Sequence, residues 1–290
     1  MKPLLLKVAT GTSASFSVRR DLVPFFNNKW HYHLELELVS FEKGSGMQFV
    51  GDHMKNFGPG DVVFIGSNLP HYWRFDANVI EGETEYVADT MVSHFSEQFL
   101  GRTFVDLPEN KHIKQLFERA KRGIQVNGKT RKQVASLMQD MLKAESFKRL
   151  MILLQILDII ARSTEVEYLS SISFLPNPEQ SANDRVNAIY EYSINNYMNK
   201  ISLEEVAKVA NISPNSFCRY FKANTGKTYS GFLLEYKVGV ACKLLIEDKL
   251  SIQQICYESG FNNFAGFYKY FKKITGKTPH NYQKEFIAQN

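Results

Sequence analysis

The chain repeats itself near its C-terminal end, and the repeat limits what that half can fold into. Phe217, Arg219, Tyr220, Phe221, Lys222, Thr225, Gly226, Lys227 and Thr228 recur as Phe267, Lys269, Tyr270, Phe271, Lys272, Thr275, Gly276, Lys277 and Thr278. The offset is 267 − 217 = 50. Upstream, Ser202, Val206, Ala207, Ala210 and Ile212 correspond to Ser251, Ile255, Cys256, Ser259 and Phe261, at an offset of 251 − 202 = 49. The second copy therefore carries one extra residue before its phenylalanine. A pattern this detailed, present twice, means two copies of one small helical unit.

Each copy reads as two short helices joined by a tight turn. Ser202 with Glu205 three residues on has the spacing of a capping box. Val206, Ala207 and Ala210 face inward, and Asn211 breaks the helix. Ser213 followed by Pro214 opens the next helix as cap and first residue. In the second copy Gly260 makes the turn and Asn263 caps. Small alanines where the two helices cross complete a helix-turn-helix pattern, at about 202–224 and 251–274.

At 100° per residue, Phe217, Tyr220 and Phe221 share the inner face of the second helix. Asn215, Arg219 and Lys222 fall opposite, with Ser216 and Cys218 at the flanks. In the other copy Phe267, Tyr270 and Phe271 face in, while Ala265, Lys269 and Lys272 face out. Charge supports a polyanion partner for this half. Residues 183–290 hold 14 Lys+Arg and 9 Asp+Glu, a surplus of 14 − 9 = +5. The whole chain holds 35 and 30, so residues 1–182 are neutral (35 − 14 = 21 against 30 − 9 = 21). In a DNA-binding unit, early residues of the outward face read base edges and Lys/Arg hold phosphates.

The run Ala241-Cys-Lys-Leu-Leu through Ile255, Gly260-Phe261-Asn-Asn, Phe267-Tyr-Lys-Tyr-Phe-Lys-Lys and Gly276-Lys-Thr-Pro279 to Tyr282 resembles the signature of AraC-type (AraC/XylS) transcription regulators. The likeness covers about residues 185–285. It implies two recognition helices held by a long connecting helix over about Tyr229–Glu247, entering successive major grooves roughly 34 Å apart. The DNA-binding residues it implies are Asn215, Ser216, Cys218, Arg219 and Lys222, then Asn263, Phe264, Ala265, Tyr268, Lys269 and Lys272. Lys237 departs from the arginine usual in the family, which puts a buried ion pair or phosphate contact in doubt. Phe264 and Ala265 can touch a thymine methyl but donate no hydrogen bond, so base-specific bonding is expected more from the first copy.

The N-terminal half has another rhythm. From Trp30 to about Val92 short apolar or alternating runs are separated by Gly, Asn and Pro, as in an all-β barrel or sandwich. From Glu109 the period turns helical: Ile113, Leu116, Phe117 and Ala120, then Val134, Leu137, Met138, Met141 and Leu142. A third helix, about Ser146 to Arg162, carries Leu150, Leu153, Leu154, Leu157 and Ile160 on one side. That stripe suits a dimer seam or a buried intramolecular face equally. The expected organisation is an α+β multidomain chain. It comprises a cupin-like β-barrel at 1–108, a helical dimerisation or relay segment at 109–174, a polar Pro-containing linker at 175–184 and an all-α domain at 185–290.

Strict alternation in His31-Tyr-His33-Leu-Glu35-Leu-Glu37 puts His31, His33, Glu35 and Glu37 on one strand face and Leu34, Leu36 and Leu38 on the other. His31, His33, Glu37 and Gly44 fit the HxH-x3-E-x6-G spacing of cupin barrels. Gly60 to His71 resembles the second cupin motif, with Gly66 and Asn68 in place of its usual Pro and Gly. Gly46 to His53 and Phe57 to His71 also resemble the sensor half of AraC-type regulators.

Two readings of this pocket stand side by side. In the first, His31, His33, Glu35, Glu37 and His71 hydrogen-bond a small polar effector such as a carbohydrate, with Trp73 stacking on it and no cofactor. In the second, His31, His33, Glu37 and His71 bind a divalent metal. The expected function is a ligand-responsive, non-enzymatic, sequence-specific DNA-binding regulator. Promoter DNA, an effector, RNA polymerase and a second copy of the chain are its expected partners. The rivals are a metal-dependent cupin enzyme fused to a DNA-binding module and an effector-independent DNA-binding protein. Cys218, Cys242 and Cys256 form no CxxC pair, and no apolar signal region opens the chain, so a reducing cytoplasm is expected. The apolar window 150–161 contains Gln155 and Asp158 and is too short to span a bilayer.

Overall fold

The computed structural model describes residues 4–5, 15–23, 30–76, 88–101, 103–171 and 185–287. The chain divides into two units, Pro3–Gln180 and Ser181–Asn290. The stretch read as a linker, 175–184, lies outside the described residues.

The first unit is built on two sheets. Its strands are β1 (Leu4–Leu5), β2 (Phe16–Val23), β3 (His31–Tyr32), β4 (Leu36–Lys43), β5 (Gly46–Val50), β6 (His53–Phe57), β7 (Val62–Ile65), β8 (His71–Phe75), β9 (Ala88–Phe95), β10 (Ile124–Val126) and β11 (Val166–Tyr168). One sheet runs β1-β3-β8-β5-β6 and the other β11-β10-β7-β4-β9-β2. Among the described residues the strands pair as these two sheets, not as one closed barrel. Two strands, β10 and β11, come from the stretch read as purely helical. Two more, β1 and β2, precede the first strand expected from the sequence.

Strand parity explains how the sheets are covered. In the larger sheet Leu36, Leu38, Val62, Phe64, Met91 and Phe95 belong to a core shared with the helices. Their alternates Val39, Phe41, Val63, Ile65 and Val92 pack with Val50, Phe57 and Trp73 of the smaller sheet. A sheet buried on both faces loses the polar alternation of a half-exposed one, which is why β7 reads Val-Val-Phe-Ile.

Three helices cover the outer face of that sheet: α1 (Lys111–Ala120), α2 (Gly128–Lys143) and α3 (Ser146–Arg162). α1 buries Ile113, Leu116, Phe117 and Ala120, the four positions its period marks. α2 buries Val134, Met138 and Met141. α3 buries Ile152, Leu153, Ile156, Leu157 and Ile160. Its buried face is thus rotated from the expected stripe, and Leu150 and Leu154 sit half-buried at the flank. The 152/153/156/157/160 set follows the 3.6-residue period more closely and aims three isoleucines at the core. Phe147 and Met151, one turn apart, are exposed.

The second unit is all helical: α4 (Arg185–Asn196), α5 (Leu203–Val209), α6 (Pro214–Thr225), α7 (Tyr229–Glu247), α8 (Ile252–Glu258), α9 (Phe264–Thr275) and α10 (Pro279–Ile287). α7 joins two small cores. Phe232 stacks among Tyr190, Phe221 and Tyr229 at its start. Val238, Ala241, Cys242 and Leu245 pack with Ile255, Cys256, Phe261, Phe267 and Phe271 towards its end. No described helix is long and apolar enough to cross a membrane.

Candidate functional site

In the second unit the repeat becomes two pairs of helices, α5 with α6 and α8 with α9. Ser202 and Ser251 each accept from the third helical N–H, and Glu205 and Gln254 return the bond to the cap backbone. Residues 210–213 connect the first pair and 263 closes the longer connection, 259–263, in the second. The extra residue of the second copy therefore lies in the turn. Asn211 and Gly260 take left-handed backbone there, with φ 53° and 80°. Ser213 does not cap α6 with its side chain as expected; its hydroxyl donates to Ser216 Oγ instead.

The most conspicuous repeated string, Thr-Gly-Lys-Thr, turns out to be a stop-and-start device. Gly226 and Gly276 end α6 and α9 in left-handed conformation. Thr225 and Thr275 donate to the carbonyls of Phe221 and Phe271. Thr228 and Thr278 then cap α7 and α10 by accepting from Gly231 and Asn281 N–H. This device sets the exit direction of both outward helices.

Those helices bury Phe217 and Phe221, and Phe267 and Phe271. Tyr220 and Tyr270, read as inward, are half-buried. Asn215, Ser216, Cys218, Arg219 and Lys222 are all exposed on α6. Asn263, Phe264, Ala265, Lys269 and Lys272 are exposed at or on α9, with Tyr268 half-buried beside Phe264. Asn263 Oδ1 is occupied as the helix cap, accepting from Gly266 N–H at 2.6 Å. Among the described residues Lys237 makes no ion pair; its Nζ donates to the Gly260 carbonyl at 2.6 Å, and burial lowers its pKa. Tyr197 OH donates to the Glu258 carbonyl beside it. Both bonds hold the turn before α9.

In the first unit the strand expected across 31–39 breaks. β3 ends at Tyr32, a bend occupies Leu34 and Glu35, and β4 begins at Leu36. Leu34 consequently points to solvent, 63 % exposed, rather than sharing the apolar face of Leu36 and Leu38. The bend lets His31, His33 and Glu37 converge with His71 from β8; one ligand atom from each lies within 4.8 Å of every other. All four side chains are buried. Glu35 is half-buried and outside this group, and contributes its backbone carbonyl, which accepts from His33 Nδ1–H at 2.9 Å. His71 Nδ1–H likewise donates to the Leu69 carbonyl at 2.8 Å. Asn68, in the left-handed region at φ 61°, donates its N–H to the His33 carbonyl at 2.8 Å. A glycine is usual at such a φ, and Asn tolerates it better than other side chains. Gly66 is demanded by space, since a Cβ there would sit 2.4 Å from the Ala120 carbonyl carbon.

Because carbonyls only accept, Nδ1 of His33 and His71 must carry the hydrogen. Each Nε2 then faces Glu37 Oε2, at 2.7 Å and 3.0 Å. A neutral ring would set a lone pair against a carboxylate oxygen, so the contact requires a proton or a cation. Burial opposes charge on both partners, yet the surrounding imidazoles hold the Glu37 carboxyl well below its usual range. Against the same burial penalty, the bond to Glu37 lifts the His33 pKa above its ordinary value.

Sequence reading missed His94. It lies on β9 directly opposite Glu37 and brings Nε2 to 3.3 Å from Oε2. Trp73 is buried against Phe41 and Phe57, and its ring is tilted 5.8 Å from His71. Among the described residues its indole N–H has no hydrogen-bond partner, nor has the Oε1 of its cross-strand neighbour Gln48.

A family model described as a helix-turn-helix domain matches residues 206–285, both helix pairs bar the first turn. An uncharacterised HTH-type transcriptional regulator of Bacillus subtilis, YdeC, is 23% identical over 261 residues, 88% of this chain and 85% of that protein. The HTH-type transcriptional activator RhaS of an Enterobacter species is 25% identical over 259 residues, 86% and 85% of the two chains. A regulator encoded in the cgkA 5' region of Pseudoalteromonas carrageenovora is 36% identical over 97 residues, 33% of this chain and 57% of its own length. The chain carries an AraC-type DNA-binding domain, and the two relatives that match over most of its length are named as transcriptional regulators.

Proposed function

We propose that this regulator is ligand-responsive and that the buried His31/His33/Glu37/His71 group is its sensing site. The observation that carries the reading is a charged cluster enclosed between two sheets, where an uncompensated ionisable group is costly. The first unit is a cupin-like sensor, and the alternative of a catalytic cupin finds no support in the relatives, which are named as regulators. On the DNA side, Asn215, Ser216, Cys218, Arg219 and Lys222 of the first copy supply base-edge and phosphate contacts. Asn263, Phe264, Ala265, Tyr268, Lys269 and Lys272 of the second give a more apolar and phosphate-directed surface. A cytoplasmic homodimer that contacts RNA polymerase completes this reading.

Two occupants of the sensor are each favoured by an observation. A small polar effector, such as a carbohydrate, is favoured by the orphaned Trp73 N–H and Gln48 Oε1 on the inner face near His71. Trp73 then serves through its indole N–H more than through its buried ring face. A divalent cation is favoured by the two Nε2 atoms aimed at one carboxylate oxygen. The donor set fits: three imidazoles and a carboxylate suit Zn, Mn, Fe or Ni, and the backbone bonds to Nδ1 fix ring orientation as metal ligands require. The ion would supply fixed positive charge tying β3, β4 and β8 together.

The test is DNA affinity of the full chain, measured on a duplex selected from random oligonucleotides. Wild type, His31→Ala and His71→Ala are compared with a panel of sugars, with Zn2+ or Mn2+, and with chelator. A wild-type affinity that responds to one class while both variants do not is expected. Identical affinity under every condition would reduce the first unit to a scaffold.

A further inference from the structure

We infer that His94 is the positioning residue of the cation site, orienting Glu37 while Arg19 keeps His94 itself from ligating. The inference rests on the cation reading above.

Its basis is a tautomer that differs from those of the other rings. Arg19 Nη1 on β2 lies 3.2 Å from His94 Nδ1. A guanidinium only donates, so Nδ1 of His94 accepts and its Nε2 carries the hydrogen. That N–H is the group 3.3 Å from Glu37 Oε2. Arg19 is in turn anchored by Asp21, with Nε at 3.0 Å from Oδ2. His33 and His71 have the opposite arrangement, with Nδ1–H given to carbonyls and Nε2 left to face the site. A metal ligand needs a bare nitrogen, which His33 and His71 offer and His94 does not. Consistently, His94 is absent from the group whose ligand atoms lie mutually within 4.8 Å.

The strand register makes the arrangement rigid. His94 opposes Ser17 on one side and Glu37 on the other, while Arg19, opposite Val92 and two residues along β2 from Ser17, reaches it diagonally, so side-chain contacts form a row from Arg19 through His94 to Glu37. The row starts at a half-exposed arginine and ends at the buried carboxylate. A carboxylate fixed by an outer ion-pair contact loses less freedom when it ligates. Removing such a partner weakens metal binding by about 10- to 100-fold.

The experiment titrates chelator-stripped full-length protein with Co2+ and Zn2+, following Co2+ absorption and competition for Zn2+. His94→Leu removes the N–H, and His94→Gln restores a donor at a similar reach. Wild type is expected to bind one ion. His94→Leu should weaken it by about 10- to 100-fold, and His94→Gln should recover most of the loss with an unchanged Co2+ spectrum. Equal affinity of His94→Leu and wild type overturns the inference while leaving the cation reading intact. A changed Co2+ spectrum in His94→Gln overturns it too, by making His94 a ligand. Wild type that binds no ion overturns the cation reading itself. If His94→Leu does not fold, the comparison of His94→Gln with His94→Asn, whose shorter amide cannot reach Oε2, decides the matter in the same way.

Discussion

Glu37→Gln in metal-free protein tests the electrostatic logic of the buried histidine–glutamate cluster. The carboxylate Oε2 receives three imidazole nitrogens at 2.7, 3.0 and 3.3 Å. Breaking a buried ion pair by removing one partner costs about 3–5 kcal/mol when the other charge is stranded. Here His33 can shed its proton, so the low end, about 3 kcal/mol, applies. For a unit of this size 1 kcal/mol shifts Tm by about 2–4 °C, which gives a loss of about 6–12 °C near pH 5.5. The sign of the pH dependence is the sharper signature. In wild type the His33 pKa is raised, so its contribution is complete below about pH 6.5 and is lost as pH rises through the folded value. The Glu37 pKa is depressed, so its contribution is complete above about pH 4.5 and is lost as pH falls towards the folded value. In the variant the raising effect of Glu37 is gone and burial, the largest influence on His33, is opposed only by the weaker bond and charge of Glu35, so the His33 pKa is expected to fall and the contribution of this ring to stability to grow between pH 5.5 and 8. Both tryptophans of the chain, Trp30 and Trp73, lie in the first unit, so thermal melts followed by tryptophan fluorescence report it within the intact protein. The difference between wild-type and variant Tm should shrink as pH rises from 5.5 to 8. A difference that is constant, or a loss under about 2 °C, refutes the reasoning.

Further outcomes follow on the DNA side. Arg219→Ala should cost about 1–3 kcal/mol on a selected site and relax specificity under α6. Lys269→Ala or Lys272→Ala should weaken binding evenly across sequences and lower the salt slope by about 1, read from affinity against salt concentration. Gly260→Ala should destabilise the second unit by more than the ~1–2 kcal/mol of a left-handed alanine, because its Cβ would lie 2.7 Å from the Tyr197 carbonyl oxygen; circular dichroism melts measure this. Ser202→Ala and Ser251→Ala should each cost about 1 kcal/mol in the same assay, and equal costs would reflect the equal capping boxes.

Local chemistry was legible in the sequence and long-range pairing was not. The capping boxes, the phenylalanines at 217, 221, 267 and 271, and the left-handed turn at Gly260 are set within one or two helical turns, so spacing alone exposes them. The same holds for His31, His33 and Glu37, which lie within six positions of one another (37 − 31). His94 escaped because nothing near it in sequence marks it; its role comes from strand register with Glu37, 57 positions away (94 − 37). β2 escaped because Arg19, Arg20 and Asp21 disguise it, although Arg20 is held by Asp89 at 2.6 Å and Arg19 by Asp21. β10 and β11, three residues each, are too short to show a period between helices. The break at Leu34–Glu35 defeated the alternation because the ring of His33 claims the Glu35 carbonyl, a side-chain bond that periodicity does not register.

The most direct test of the account is hydroxyl-radical footprinting of the full chain on its selected duplex. Two protected segments on one DNA face, about 10–10.5 base pairs apart, are predicted for each bound chain. Arg219→Ala should erase the protection under α6, and Lys269→Ala with Lys272→Ala the protection under α9. A single protected segment, or two that fade together whichever helix is altered, would contradict the claim that the repeat is a pair of separate DNA-reading helices.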